Sequence, residues 1–161
     1  MKQLLIIWHS RTGAAEAMAR AALEGARSEG DARLMRAGDV QAEDLLGASG
    51  FLFAAPENLA ALSGEMKEFF DRCYYPVLGR IEGRPYAQMI AAGSDGQNAV
   101  RQLARIATGW RLREVQPPMI VNTDAQTPEK ILARKALPPE TLAKCRELGA
   151  GMMAGVASGI W

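Results

Sequence analysis

Leu4 to Trp8 is an unbroken apolar run, and beyond His9-Ser10-Arg11-Thr12-Gly13 a proline-free, alanine-rich stretch extends from Ala14 to Arg27. A strand that is apolar at every position is buried on both faces, as in a parallel sheet covered by helices. The second stretch holds little but good helix formers. The junction therefore predicts a strand feeding directly into a helix, the first half of a βαβ unit. Between the two lie hydroxyls and a single glycine at a helix N-terminus. Unpaired N–H groups and the positive end of the helix dipole face such a loop, so it can hold a phosphate. The alternative is a helix merely capped by Ser10 or Thr12. Taken alone, this loop fits both readings.

With 161 residues the chain fits one domain, residues 1–161, able to bury a sizeable core. Its 19 Lys and Arg face 18 Asp and Glu, for a net charge of +1, and they form no basic stripe. Nucleic acid is therefore not an expected partner. No run approaches the roughly 20 apolar residues that cross a bilayer, and the first residues carry no signal-peptide pattern. Membrane association is not expected. Cys73 and Cys145 are the only cysteines, too few for a disulfide framework, so a reducing cytoplasm is the expected location. His9 is the only histidine, and no Cys or His pair has zinc spacing, so no metal site is expected.

The strand-then-helix rhythm recurs along the chain. Ala32 to Arg36 reads as an outer strand, and Phe51 to Ala55 as a central one that stops at Pro56. Gly64 to Tyr74 sets Met66, Phe69, Phe70 and Cys73 at helical spacing. Tyr86 to Ala92 is a further apolar strand, ending at Gly93-Ser94-Asp95-Gly96. Asn98 to Ala107 is helical, with Val100, Leu103, Ala104 and Ala107 on one face. Leu112 to Val115 and Met119 to Asn122 read as a last strand interrupted by Pro117-Pro118. Residues 123–138 read as a polar surface connection with room for a short helix, and Pro139 to Val156 as the closing helix. Alternation of this kind implies an α/β three-layer sandwich with a five-stranded parallel sheet in the order 2-1-3-4-5. In that order ligands bind at the carboxyl ends of the strands, at the switch point between strands 1 and 3. Loops 9–14, 56–64 and 93–97 converge there.

At these loops the chain resembles a known family. Ser10-Arg11-Thr12-Gly13-Ala14-Ala15 resembles the flavodoxin phosphate loop, a hydroxyl residue, any residue, Thr-Gly, any residue, then Thr. Ala55-Pro56-Glu57-Asn58, with Ser63-Gly64-Glu65-Met66-Lys67-Glu68-Phe69-Phe70-Asp71-Arg72, is similar to the NAD(P)H-dependent FMN reductase and multimeric flavodoxin branch. Ala92-Gly93-Ser94-Asp95-Gly96 is similar to the third loop of that branch. The likeness spans residues 1 to about 122 and implies a flavodoxin-like fold with bound FMN. It places the phosphate on the backbone of residues 11–14 and on the hydroxyls of Ser10 and Thr12. Pro56, Glu57, Asn58 and Leu59 would frame the flavin ring, and Gly93, Ser94, Asp95 and Gly96 would cover its other side. The chain departs from the pattern twice. Ala15 stands where the second Thr is expected, and Leu59-Ala60-Ala61-Leu62 replaces an aromatic platform.

The activity implied is reduction of a small electrophile such as a quinone, with NAD(P)H as co-substrate and the flavin carrying the chemistry. No catalytic side chain is therefore assigned. A one-electron carrier and a flavodoxin-fold module that has lost FMN remain as alternatives. Trp8 reads as core, His9 as incidental, Glu57 as a solvated carboxylate and Cys73 as buried and unreactive. The apolar 59–62 stretch, with Tyr74, Tyr75 and Trp110 nearby, points to a homo-oligomer, most simply a C₂ dimer. In the resembled branch a partner subunit often completes the flavin pocket.

Overall fold

The computed structural model describes all of residues 1–161. Strand β1 (Gln3–Trp8), one residue longer at its start than the apolar run, leads through the loop at residues 9–13 into helix α1 (Ala14–Arg27), whose bounds are those the alanine-rich run predicts. Next come β2 (Asp31–Arg36), a 3₁₀ turn (Ala37–Asp39) and α2 (Ala42–Gly47), a helix not anticipated from the sequence. Strand β3 (Gly50–Asn58) leads through the two-residue β4 (Ala61–Leu62) to α3 (Gly64–Val77). Then follow β5 (Pro85–Ala92), α4 (Gln97–Gly109), β6 (Arg113–Glu114), β7 (Met119–Asn122), α5 (Pro128–Leu132) and α6 (Pro139–Ser158).

The parallel ladder runs β2-β1-β3-β5-β6, and β7 pairs β5 further along the same edge. Tyr86 faces Glu114 while Met89 faces Met119, so β6 and β7 are two pieces of one outer strand. Pro117 and Pro118 lie in the break, where no ladder donor is available. The sheet thus has the expected five-position order. Two details differ from the sequence reading. β3 does not stop at Pro56 but pairs it with Ala91, then turns back as a hairpin with β4 through Glu57 and Asn58.

Strict alternation along the buried strands divides the core. Leu5, Ile7, Phe51, Phe53 and Ala55 face one side, where Met66, Phe69 and Phe70 of α3, Leu103 of α4 and Trp110 cover them. Leu4, Ile6, Leu52 and Ala54 face the other, under α1 and α6. Each fully buried Phe contributes roughly 1.5–3 kcal/mol. Phe70 and Trp110 meet edge to face with centroids 5.2 Å apart, so Trp110 is a core anchor and not part of an exposed interface. The alanine richness of α1 has its reason here: a Cβ on Gly25 would run into the Arg146 carbonyl, and one on Gly149 into that of Ala22. The two helices touch backbone to backbone.

Candidate functional site

β1, β3 and β5 end side by side, and the loops beyond them enclose a cavity of about 700 Å³. Ser10, Arg11, Thr12, Ala14 and Ala15 line one end. Here the loop takes a sharp course: Gly13 has φ +104°, a value L side chains rarely adopt, and its N–H donates to Ser10 Oγ at 3.1 Å. No side chain caps α1, which decides against the simple capping alternative. The N–H groups of Arg11, Thr12, Ala14, Ala15 and Glu16 have no partner within the chain. This concentration of free donors at a helix start suits an anion. Ser10 and Thr12 each accept a bond through the hydroxyl oxygen and keep a hydroxyl proton to give.

The second wall is Pro56, Glu57, Asn58, Leu59 and Ala60. Leu59 and Ala60 form the two-residue turn of the β3–β4 hairpin at φ +52° and +60°. Leu59 is fully exposed at its tip. Non-glycine residues in this region cost roughly 1–2 kcal/mol each, so the turn stores strain at the rim of the cavity. Gln102 braces it by accepting the Leu62 N–H at 2.7 Å. Glu57 is not a solvated carboxylate: it accepts the N–H groups of Gly96 at 2.9 Å and Ala99 at 3.1 Å. It therefore fixes the third loop by capping the start of α4 from another strand.

In that third loop Gly93 and Ser94 line the cavity, whereas Asp95 and Gly96 do not. Asp95 Oδ1 turns back to the Gln97 N–H, and Gly96, at φ +97°, lies against Ile120. Gly13 is likewise outside the lining: a Cβ there would lie 2.9 Å from the Arg134 guanidinium carbon.

Thr123, Ala125, Ile131, Leu132 and Lys135 make a fourth wall that the sequence reading missed, since it saw here a surface connection with a short helix and no part of the site. The segment is strapped down at both ends. Thr123 N–H donates to Ala92 O at 2.8 Å and Gln126 Nε2 to Gly93 O at 2.9 Å. Lys135 N–H donates to Thr12 O at 2.8 Å, and its Nζ to Thr12 Oγ1 at 3.1 Å. The signal available in sequence was an exposed aliphatic pair, Ile131-Leu132, followed closely by Arg134-Lys135 in an otherwise polar stretch.

Next to Ser10 in the chain, His9 is not incidental. Its ring is buried, with Nδ1 2.8 Å from Ser63 Oγ and Nε2 3.2 Å from the Glu65 carboxylate. Burial holds its pKa below the ordinary 6.5, against the pull of Glu65 and with the help of Arg36 and Arg11. The neutral ring then accepts from Ser63 at Nδ1 and donates to Glu65 at Nε2. Trp8 is half-buried against the α1–α6 layer, with the Arg36 guanidinium 5.9 Å from its ring centre. Cys73 is buried and burial pushes its thiol up; Cys145 is pushed up to about 11. Neither is a thiolate nucleophile at neutral pH. No helix is long and apolar enough to cross a membrane.

Residues 35–126 match the family described as NADPH-dependent FMN reductase. Over 98 residues the chain is 36% identical to a protein named flavodoxin from Aquifex aeolicus, an alignment covering 60% of this chain and 53% of the relative. The chain thus spans about half the length of that curated relative. Among solved structures, a flavodoxin from the domain Archaea superposes with a TM-score of 0.78 at 18% identity, covering 96% of this chain and 99% of the other. A WrbA-like flavodoxin from Agrobacterium tumefaciens gives 0.77 at 18% identity, with 98% and 99% coverage. At that identity these structures establish the flavodoxin-like fold.

Proposed function

The chain belongs to the NADPH-dependent FMN reductase family, and on that basis we propose that it binds FMN and passes electrons from NAD(P)H to a small acceptor such as a quinone. The observation that carries the reading is the polarity of the cavity. Its first end offers unpartnered main-chain N–H groups and two hydroxyl protons, while Leu59, Ala60, Ile131 and Leu132 make its rim aliphatic. A volume of about 700 Å³ falls within the range of cofactor sites. A phosphate-bearing, largely apolar ring system fits both ends.

Residues 10–15 would hold the phosphate, and the 57–60 hairpin and the 123–132 strap would orient the ring and exclude water. Asn58 and the nearby main chain would meet the ring's polar edge. When bound, FMN supplies the hydride-accepting and hydride-donating chemistry, so the chain needs no acid–base residue of its own. A reducing, cytoplasmic setting suits the two buried thiols. A homodimer in which a partner covers the exposed Leu59 turn and Tyr75 is part of this proposal.

A second reading, a flavodoxin-type electron carrier, is favoured by the name of the Aquifex relative. A net charge of +1 offers little steering towards a redox partner. Titration of the purified protein with FMN, followed by NADPH and NADH consumption with a quinone, tests the proposal. Saturable FMN binding with quinone-dependent turnover is expected. Binding without turnover would leave the carrier, and no FMN binding would leave a module without cofactor. Light scattering at micromolar concentration tests the dimer, and a monomer with full FMN affinity would remove it.

A further inference from the structure

Resting on that reading, we infer that the strap residues Lys135 and Arg134 carry the charge of the phosphate subsite, so that the site selects FMN over riboflavin, the same flavin without its phosphate. Lys135 is a wall of the cavity and is tied through its main chain to Thr12, on the loop that holds the unpartnered N–H groups. Its ammonium donates to Thr12 Oγ1 at 3.1 Å, Ile131 O at 3.0 Å and Ala133 O at 2.7 Å. All three acceptors are uncharged. No carboxylate lies within ion-pair distance of Lys135, Arg134 or Arg11, although six Lys or Arg ion pairs form elsewhere in the chain.

Arg11 and Lys135 line this end of the cavity, and the Arg134 guanidinium lies over Gly13 just outside it, all without a carboxylate partner. A phosphate dianion here meets that positive charge and the positive start of α1. Ile131 and Ala133 are exposed, so the ammonium can exchange either carbonyl for a phosphate oxygen at little cost, water taking the freed carbonyl. Its bond to Thr12 Oγ1 occupies a lone pair and leaves the Thr12 proton free to donate to the same anion. Arg134 contributes from further out: its guanidinium lies over Gly13, in space that opens only because residue 13 has no Cβ. The arrangement offsets the hydroxyl that Ala15 does not supply.

The test is titration of the wild type, Lys135→Gln, Lys135→Arg and Arg134→Gln with FMN and with riboflavin, at low and at high salt. Loss of one charge-assisted bond predicts about tenfold weaker FMN binding in Lys135→Gln. Riboflavin affinity should stay within about twofold, which also shows that the strap still folds. Lys135→Arg should retain most of the FMN affinity, and Arg134→Gln should lose about threefold, an effect that shrinks as salt rises. Equal losses for both flavins would make the strap a wall only and overturn the inference, as would unchanged FMN binding in Lys135→Gln. A wild type that binds riboflavin as tightly as FMN overturns it while leaving flavin binding intact. A wild type that binds neither removes the reading on which it rests, and the inference with it.

Discussion

The two ends of the cavity are built on opposite principles. At residues 10–15 the donors are main-chain groups, held by a buried strand end, a helix start and the strap through Lys135. At the Leu59–Ala60 turn the wall is aliphatic, exposed and bent into left-handed backbone that neither residue prefers. The first end is fixed before a ligand arrives, and little ordering remains to be done on binding. The second keeps apolar surface in water and strain in its turn, both of which a ligand or a partner can relieve. Fixed donors and strained apolar surface thus lie on different loops.

Breaking the fixed end should have the largest effect. Gly13→Val places a β-branched residue at φ +104° and brings its Cβ against the Arg134 guanidinium. The side chain of Arg134 can swing away, but the backbone strain cannot be shed. FMN affinity should fall at least tenfold, about 1.4 kcal/mol, as read by flavin fluorescence titration. Equal affinity in the variant would mean that the 10–15 loop does not hold the phosphate.

Relaxing the other end should separate stability from binding. In the double variant Leu59→Asn, Ala60→Gly, the turn receives the residues its conformation favours. Net stabilisation of about 1 kcal/mol is expected after the added backbone entropy of glycine, raising Tm by roughly 2–4 °C. FMN binding should weaken up to about fivefold, since the aliphatic contact is lost. A variant both more stable and equally good at binding would show that the strained turn serves no ligand.

The fixed end was legible in sequence because everything that defines it is local. An apolar strand, one glycine and an alanine-rich helix are contiguous, and each reports itself by composition or period. The rest depends on contacts between distant positions. Glu57 meets Gly96 and Ala99 across about forty residues, and Lys135 meets Thr12 across 123. No period encodes such pairs, so Glu57 reads as a surface carboxylate and the strap as a connection. Leu59-Ala60 lacks the Asn-Gly signature of its turn, which left the hairpin unseen. The fate of Trp110 followed from packing against Phe69 and Phe70 that only the folded chain reveals. The broken outer strand, by contrast, is visible in the Pro117-Pro118 pair.

Glu57→Gln tests whether the adaptable side depends on a fixed support of its own. The carboxylate holds two N–H groups at the start of α4, and the amide can replace it at only one of them without its charge. A stability loss of about 1 kcal/mol is expected, with FMN affinity reduced no more than about threefold. Thermal melts and titration measure the two separately. A loss of affinity larger than that of Gly13→Val would reverse the ranking of the two ends.

The smallest effect belongs to His9, which ties the strand end before the 10–15 loop to Ser63 and Glu65 at the start of α3. Ser63 spends its hydroxyl on this ring and does not cap α3. Burial is the first cause of the lowered His9 pKa, with the Arg36 and Arg11 charges adding to it and the Glu65 carboxylate opposing. The folded pKa is therefore below that of the unfolded chain. Well above about pH 6.5 neither state carries a proton on the ring and stability is flat. As the pH falls towards and through that value, the unfolded chain takes up the proton first and the fold loses stability, until the folded ring titrates in turn. Urea midpoints of the wild type should decline from pH 7 towards pH 5.5, with a shallower decline in His9→Asn, which cannot ionise. Were the exposed Glu65 to dominate instead, the ring would be an imidazolium held by its carboxylate, and wild-type stability would rise over the same window. The sign of that slope thus decides whether His9 is a neutral hydrogen-bonded post between Ser63 and Glu65 or one half of an ion pair.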